Sequence, residues 1–139
     1  MTEEEKKLLL QDLCARLPYG VKVCVGTQYD IDNDITDIAL LQGLEFDNPT
    51  FGVKVLVCVK TYSGSNTFGT DIEDIKPYLR PISSITEEEW KEFDWFVKQE
   101  PDEILRFKNT LNFYNKHHID YIGLIPMGLA IEAPEGMYN

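Results

Sequence analysis

Four carboxylates recur at short spacing in Asp30, Asp32, Asp34 and Asp37. Oxygen donors at the first, third and fifth positions open the loop that wraps a calcium ion. That loop also needs glycine at its sixth position and a bidentate Glu at its twelfth, where this chain has Ile35 and Leu41. A canonical EF-hand therefore fails; a weak divalent site stays open as an alternative, and no metal residues are assigned. The acids read as a solvated loop or as a contact surface for a basic partner.

His117, His118 and Asp120 make a second cluster. Adjacent helical residues do not share a face, and the HExxH spacing of helical zinc sites is absent. His118 ends an apolar stripe, so packing with a hydrogen bond is expected. His117 is expected near the surface at a helix C-terminus, where a cation suits the helix dipole. Cys14, Cys24 and Cys58 are odd in number and widely spaced, which argues against a disulfide framework or a compact zinc site. They read as buried small hydrophobes. Cys24 or Cys58 beside a histidine would supply the residue types of a nucleophilic pair, although alignment and an oxyanion site are also required. Residues 61–69 contain two glycines but lack the lysine and spacing of a phosphate loop, so a turn between strands is expected, with Tyr62 and Phe68 either flanking a ligand groove or closing a hairpin end. No cofactor is predicted.

Lys and Arg total 13 against 24 Asp and Glu, a formal charge of -11 over 139 residues. That balance disfavours direct nucleic-acid binding, where cations must replace condensed counterions. It suits solubility, a basic protein partner, or mimicry of nucleic acid. Hydrophobic residues make up 43%, enough to argue against disorder. No apolar run approaches the roughly 20 residues of a membrane span. The opening Met1-Thr2-Glu3-Glu4-Glu5 is acidic where a signal peptide is basic, so the expected location is cytoplasmic.

The elements that must position these groups follow from pattern. Thr2 with Glu5 has capping-box spacing, and Leu9, Leu10, Leu13, Cys14 and Leu17 form an apolar helical face ended by Pro18 and Gly20. Residues 21–25 alternate as a strand, 28–37 read as a polar connection, and 38–46 read as a strand bent at Gly43. Asp47, Asn48 and Pro49 signal a turn. Residues 51–59 give the clearest strand, apolar on both faces and suited to a central position. Residues 71–79 suggest a short strand and then a turn at Pro77. Thr86 with Glu89 predicts another capped helix, with Trp90, Phe93, Phe96 and Val97 on one face. Trp95 points away from Trp90, as a second core contact or an exposed anchor. Pro101 is placed at the first position of a further helix, after a cap at Glu100, with Ile104, Phe107, Leu111, Tyr114 and His118 lining one face. The apolar tail 121–133 is expected to form a strand or a cover over the core.

Two segments, DIKPYLRPISSITEEE at 74–89 and GLIPMGLAIEAP at 123–134, resemble an uncharacterised group of small proteins from gut Bacteroides and their prophages or other mobile elements. The resemblance implies a bacterial or phage origin and carries no mechanism.

The expected fold is α+β, a small curved antiparallel sheet or SH3-like partial barrel packed by about three helices. Residues 1–139 are read as a single compact domain, β-rich to about residue 80 and helical after it. The expected function is a non-enzymatic protein-binding or regulatory module using Asp30, Asp32, Asp34, Asp37 and Trp95. The alternatives are a small cysteine- or metal-dependent hydrolase and an acidic nucleic-acid mimic. A homodimer through an exposed edge strand or the apolar tail stays open.

Overall fold

The structure is a computed structural model. It describes residues 1–34, 36–46, 55–61 and 67–138; side chains are described for all of these except 28, 45, 46, 55–61, 67 and 68.

Helix α1 (Glu3–Arg16) starts as its sequence requires. Thr2 Oγ1 accepts the Glu5 N–H, and the Glu5 carboxylate accepts the Thr2 N–H. Its inner face differs from the expected one. Leu9 and Leu13 are buried, but Asp12 and Arg16 lie inside beside them and Cys14 is exposed. A five-residue helix α2 (Gln28–Asp32) replaces part of the expected polar connection.

The sheet is mixed, in the order β4-β3-β2-β1-β5-β6. Its strands are β1 (Lys22–Val25), β2 (Asp37–Phe46), β3 (Val55–Thr61), β4 (Thr67–Asp71), β5 (Ile75–Leu79) and β6 (Ile131–Glu132). All described pairs are antiparallel except β5 with β6. The order is linear, with β4 and β6 at its ends, so the partial-barrel expectation is corrected to an open sheet. Gly43 marks the predicted irregularity: the β2–β3 register shifts between Leu41 and Gly43.

β3 lies between β2 and β4, as its pattern suggested. The alternation of its side chains, the turn at 47–49, residues 51–54 and the loop at 62–66 lie outside the described residues. β4 was not anticipated, and Pro77 sits inside β5 rather than in a turn. It is aligned with Val23 on one side, while β6 begins only opposite Tyr78.

One sheet face meets α1. Leu9 and Leu13 pack with Val21, Val23, Ala39, Leu41, Ile75 and Leu79. The tail closes this cluster with Leu124, Leu129 and Ala130, acting as the predicted cover and adding only the short β6.

The second half is helical. α3 (Glu87–Phe93) runs directly into a π-helical turn, Asp94–Lys98, followed by α4 (Glu103–Lys116). The cap of α4 is Asp102, whose carboxylate accepts the N–H groups of Ile104 and Leu105. Pro101 therefore precedes the cap instead of opening the helix. A second cluster joins Ile85, Phe113 and Ile119, with Phe93 and Tyr114 against it. Sheet and helices are stitched where Arg80 N–H donates to the His118 carbonyl and Asp120 N–H to the Arg80 carbonyl. Among the described residues no helix is long and apolar enough to cross a membrane.

Candidate functional site

The acidic group is divided between structural and surface roles. Asp30 is half-buried and works as a cap. Its carboxylate accepts the Thr27 N–H at 2.8 Å and the Thr27 hydroxyl at 2.9 Å. Asp32, Asp34 and Asp37 are exposed. Asp34 has a positive φ of 56°, a region that Asp tolerates better than most residues, and Asp37 opens β2. Helical residues 30 and 32 point about 200° apart at ~100° per residue, so these two acids do not form one face.

The histidines do not converge on a metal. α4 ends at Lys116, and His118 stands past its cap with φ 59°. His118 N–H donates to the Asn115 carbonyl and Ile119 N–H to the Tyr114 carbonyl, the two bonds of a Schellman ending. The His118 ring is buried and stacks on Tyr138 at 3.8 Å, while its Nδ1 finds no hydrogen-bond partner. The packing half of the expected role holds, through stacking at a helix end rather than from a helical face, but the hydrogen bond expected with it is not made at Nδ1. Burial, followed by the nearby Arg16 charge, lowers its pKa to about 4.

His117 is held between two carboxylates, with Nδ1 2.8 Å from Glu89 and Nε2 2.6 Å from Glu92. Arg80 grips Glu89 through both terminal nitrogens at 2.7 and 2.8 Å, and Lys116 pairs with Glu92. The Arg80 hydrogen bonds lower the Glu89 pKa to about 2. Burial works against ionisation of Glu92, but its bonds to Lys116 and His117 prevail and its pKa is lowered. Asp120 accepts the N–H groups of Gly123, Leu124 and Ile125. His117 and Asp120 are therefore committed elsewhere and His118 is stacked on Tyr138, and no group of three potential metal ligands occurs among the described residues.

The drawn thiol pair does not assemble from Cys24 either. This buried residue lies beside Tyr78, whose phenol is pushed up to about 12, chiefly by burial and then by Cys24. Both ring nitrogens of His117 face glutamates, and His118 stacks on Tyr138. The Cys58 side chain lies outside the described residues.

The more informative surface is at the α3–α4 hairpin. Trp95 is 71% exposed and Phe96 59%, both on the π-helical turn. Beyond the connection, Ile104 is 80% exposed, Phe107 67% and Leu105 46%. Ile104, Phe107 and Phe96 belong to the apolar helical faces read from the sequence, yet all three are exposed. The far end of the predicted α4 stripe packs, through Tyr114, which stacks on Tyr121, and through His118 on Tyr138, while Leu111 is half-buried. The π-helical turn alters the register after Phe93, so Val97 is buried while Phe96 turns outward.

Beside this tip is a pocket of about 200 Å³ lined by Tyr19, Glu92, Phe96, Asn109, Asn112, Phe113 and Lys116. Sequence reasoning missed it because its walls come from the turn after α1 and from three points along the helical hairpin. No family model, curated protein or solved structure matches this chain.

Proposed function

We propose that this chain is a non-enzymatic protein-binding or regulatory module that docks through the apolar tip of its α3–α4 hairpin. The observation that supports this most is the exposure of Trp95, Phe96, Ile104, Leu105 and Phe107 around one connection. Taking about 200 Å² for each aromatic side chain, the three aromatics leave on the order of 400 Å² open. Exposed apolar patches of that order commonly mark interaction sites. Tryptophan at such a place is a typical energetic anchor.

The partner is a protein with apolar side chains set in a basic surround. Asp94, Glu100, Asp102 and Glu103 flank the tip, against Lys98, Arg106 and Lys108, and the chain carries -11 overall. Asp32, Asp34 and Asp37 extend the same electrostatic preference, while Asp30 is reserved for its cap. A cytoplasmic setting in a Bacteroides host or mobile element belongs to this proposal.

Trp95→Ala and Phe107→Ser should each weaken partner binding by more than tenfold, the scale of a hot-spot loss. Their unfolding free energies should stay within about 0.5 kcal/mol of the parent, as expected for exposed positions. Calorimetric titration against the purified partner, beside urea denaturation, reads both quantities. Undiminished affinity in both variants would reject the tip as the docking surface.

A further inference from the structure

We infer that the pocket between Tyr19, Phe96 and Phe113 receives one neutral aromatic side chain of the protein partner; this inference rests on the docking reading above. Size is the first argument. At about 200 Å³ the pocket falls below the ~300–1,000 Å³ typical of small-molecule sites, and suits a single large side chain.

The walls supply the second argument. Phe113 is fixed from behind by Phe93 at 5.2 Å, His117 at 4.7 Å and Trp90 at 6.3 Å. Asn109 Nδ2 donates to the Phe96 carbonyl at 3.2 Å, tying the opposite wall to α4. A slot walled by rings accepts another ring in edge or offset contact.

Charge decides among rings, cations and anions. The rim cation Lys116 is already paired with Glu92, and the other Glu92 oxygen faces His117. The mouth therefore offers neither an uncommitted ammonium for an anion nor an uncommitted carboxylate for an alkylammonium. Asn112 is exposed at the rim, and its amide can serve a phenol O–H or an indole N–H. Phe96 belongs both to the pocket wall and to the exposed tip. A ring seated here would bring its neighbours against Trp95, making a central anchor with a surrounding water-excluding rim.

The test is NMR titration of the full chain with p-cresol, toluene, choline and inorganic phosphate. Saturable shifts from p-cresol and toluene at Tyr19, Phe96, Asn109 and Phe113 are expected. Asn112→Ala should weaken p-cresol about three- to tenfold, the worth of one hydrogen bond, and leave toluene unchanged. Trp95→Ala should leave p-cresol binding unchanged, since Trp95 does not line the pocket.

Shifts absent from the pocket, or choline or phosphate binding there more tightly than p-cresol, would overturn the inference. So would concentration-dependent self-association that Phe96→Ala abolishes, because the occupant would then be a second copy. Competition separates the two readings. If p-cresol fails to displace a partner whose affinity depends on Trp95, the pocket assignment fails and tip docking stands. If p-cresol displaces a partner indifferent to Trp95→Ala and Phe107→Ser, tip docking fails and the pocket stands.

Discussion

A buried ion pair on the inner face of α1 ties the helix to the chain at Ile119. Arg16 Nε lies 2.9 and 3.0 Å from the Asp12 carboxylate oxygens, and one terminal nitrogen donates to the Ile119 carbonyl at 2.7 Å. Both side chains are fully buried, and burial raises the Asp12 pKa against the opposing pull of Arg16. Removing one charge should cost more than removing both. Asp12→Leu is expected to destabilise by about 3–5 kcal/mol, while Asp12→Leu with Arg16→Met should recover most of that loss. Urea denaturation of the single and double variants measures the difference; equal losses would show that the Asp12 charge is not what Arg16 requires. His118 gives a second residue-level prediction. Its folded pKa of about 4 lies below the ordinary imidazole value of 6.5, so the folded state binds fewer protons between those values. Stability should therefore fall as pH drops from about 6.5 towards 4, by up to about 3 kcal/mol. His118→Asn suits the positive φ and should flatten that slope; an unchanged slope would assign the titration to another group. Glu89, lowered to about 2, keeps its contribution above about pH 4.5 and loses it only as pH falls further towards 2.

The helices show what was legible along the chain and what was not. The boxes at Thr2–Glu5 and Thr86–Glu89 were readable because both partners lie three residues apart. Glu89 proves to do more than its local role. It accepts the Thr86 N–H at 3.0 Å while gripping Arg80 at the end of β5 and facing His117 at the end of α4. Thr86→Ala should therefore cost about 1 kcal/mol, the usual worth of a cap. Glu89→Ala should cost clearly more, because it also leaves the half-buried Arg80 guanidinium without its carboxylate. Chemical denaturation at neutral pH compares them, and equal losses would reduce Glu89 to its capping role. The apolar pattern of α1 includes Cys14, which is exposed, and leaves out Asp12 and Arg16, which lie buried on its inner face. Their i,i+4 spacing was a visible signal of pairing, but the Ile119 carbonyl that receives Arg16 lies 103 residues away. The α4 stripe shows the opposite case: its period was helical, but nothing local showed that only its end near Tyr114 meets other rings.

Across the whole molecule, long-range contacts explain the remaining errors. Gly43 announced its own bulge, and the central strand announced its interior place in the order. The open edges depended on pairing that no single segment encodes, and the pocket depended on Tyr19 meeting a hairpin some 75 to 100 residues later in the chain. The distribution of charge also acts at this scale. Close pairs such as Arg80–Glu89 and Lys6–Glu73 are attractive, yet 24 acids face only 13 basic residues. A compact chain of that composition repels itself more than its unfolded form does. Raising NaCl from ~0.01 M to ~1 M shortens the screening length from about 30 Å to about 3 Å. That change should relieve the repulsion spread over the surface while leaving the buried Asp12–Arg16 pair largely unscreened. The midpoint of urea unfolding at neutral pH should therefore rise with salt. Converting Asp32, Asp34 and Asp37 together to Asn should shrink the rise, since these exposed acids add to the excess. A midpoint that falls with salt would mean that attractive surface pairs outweigh the net charge, and would remove long-range repulsion as a factor in this fold.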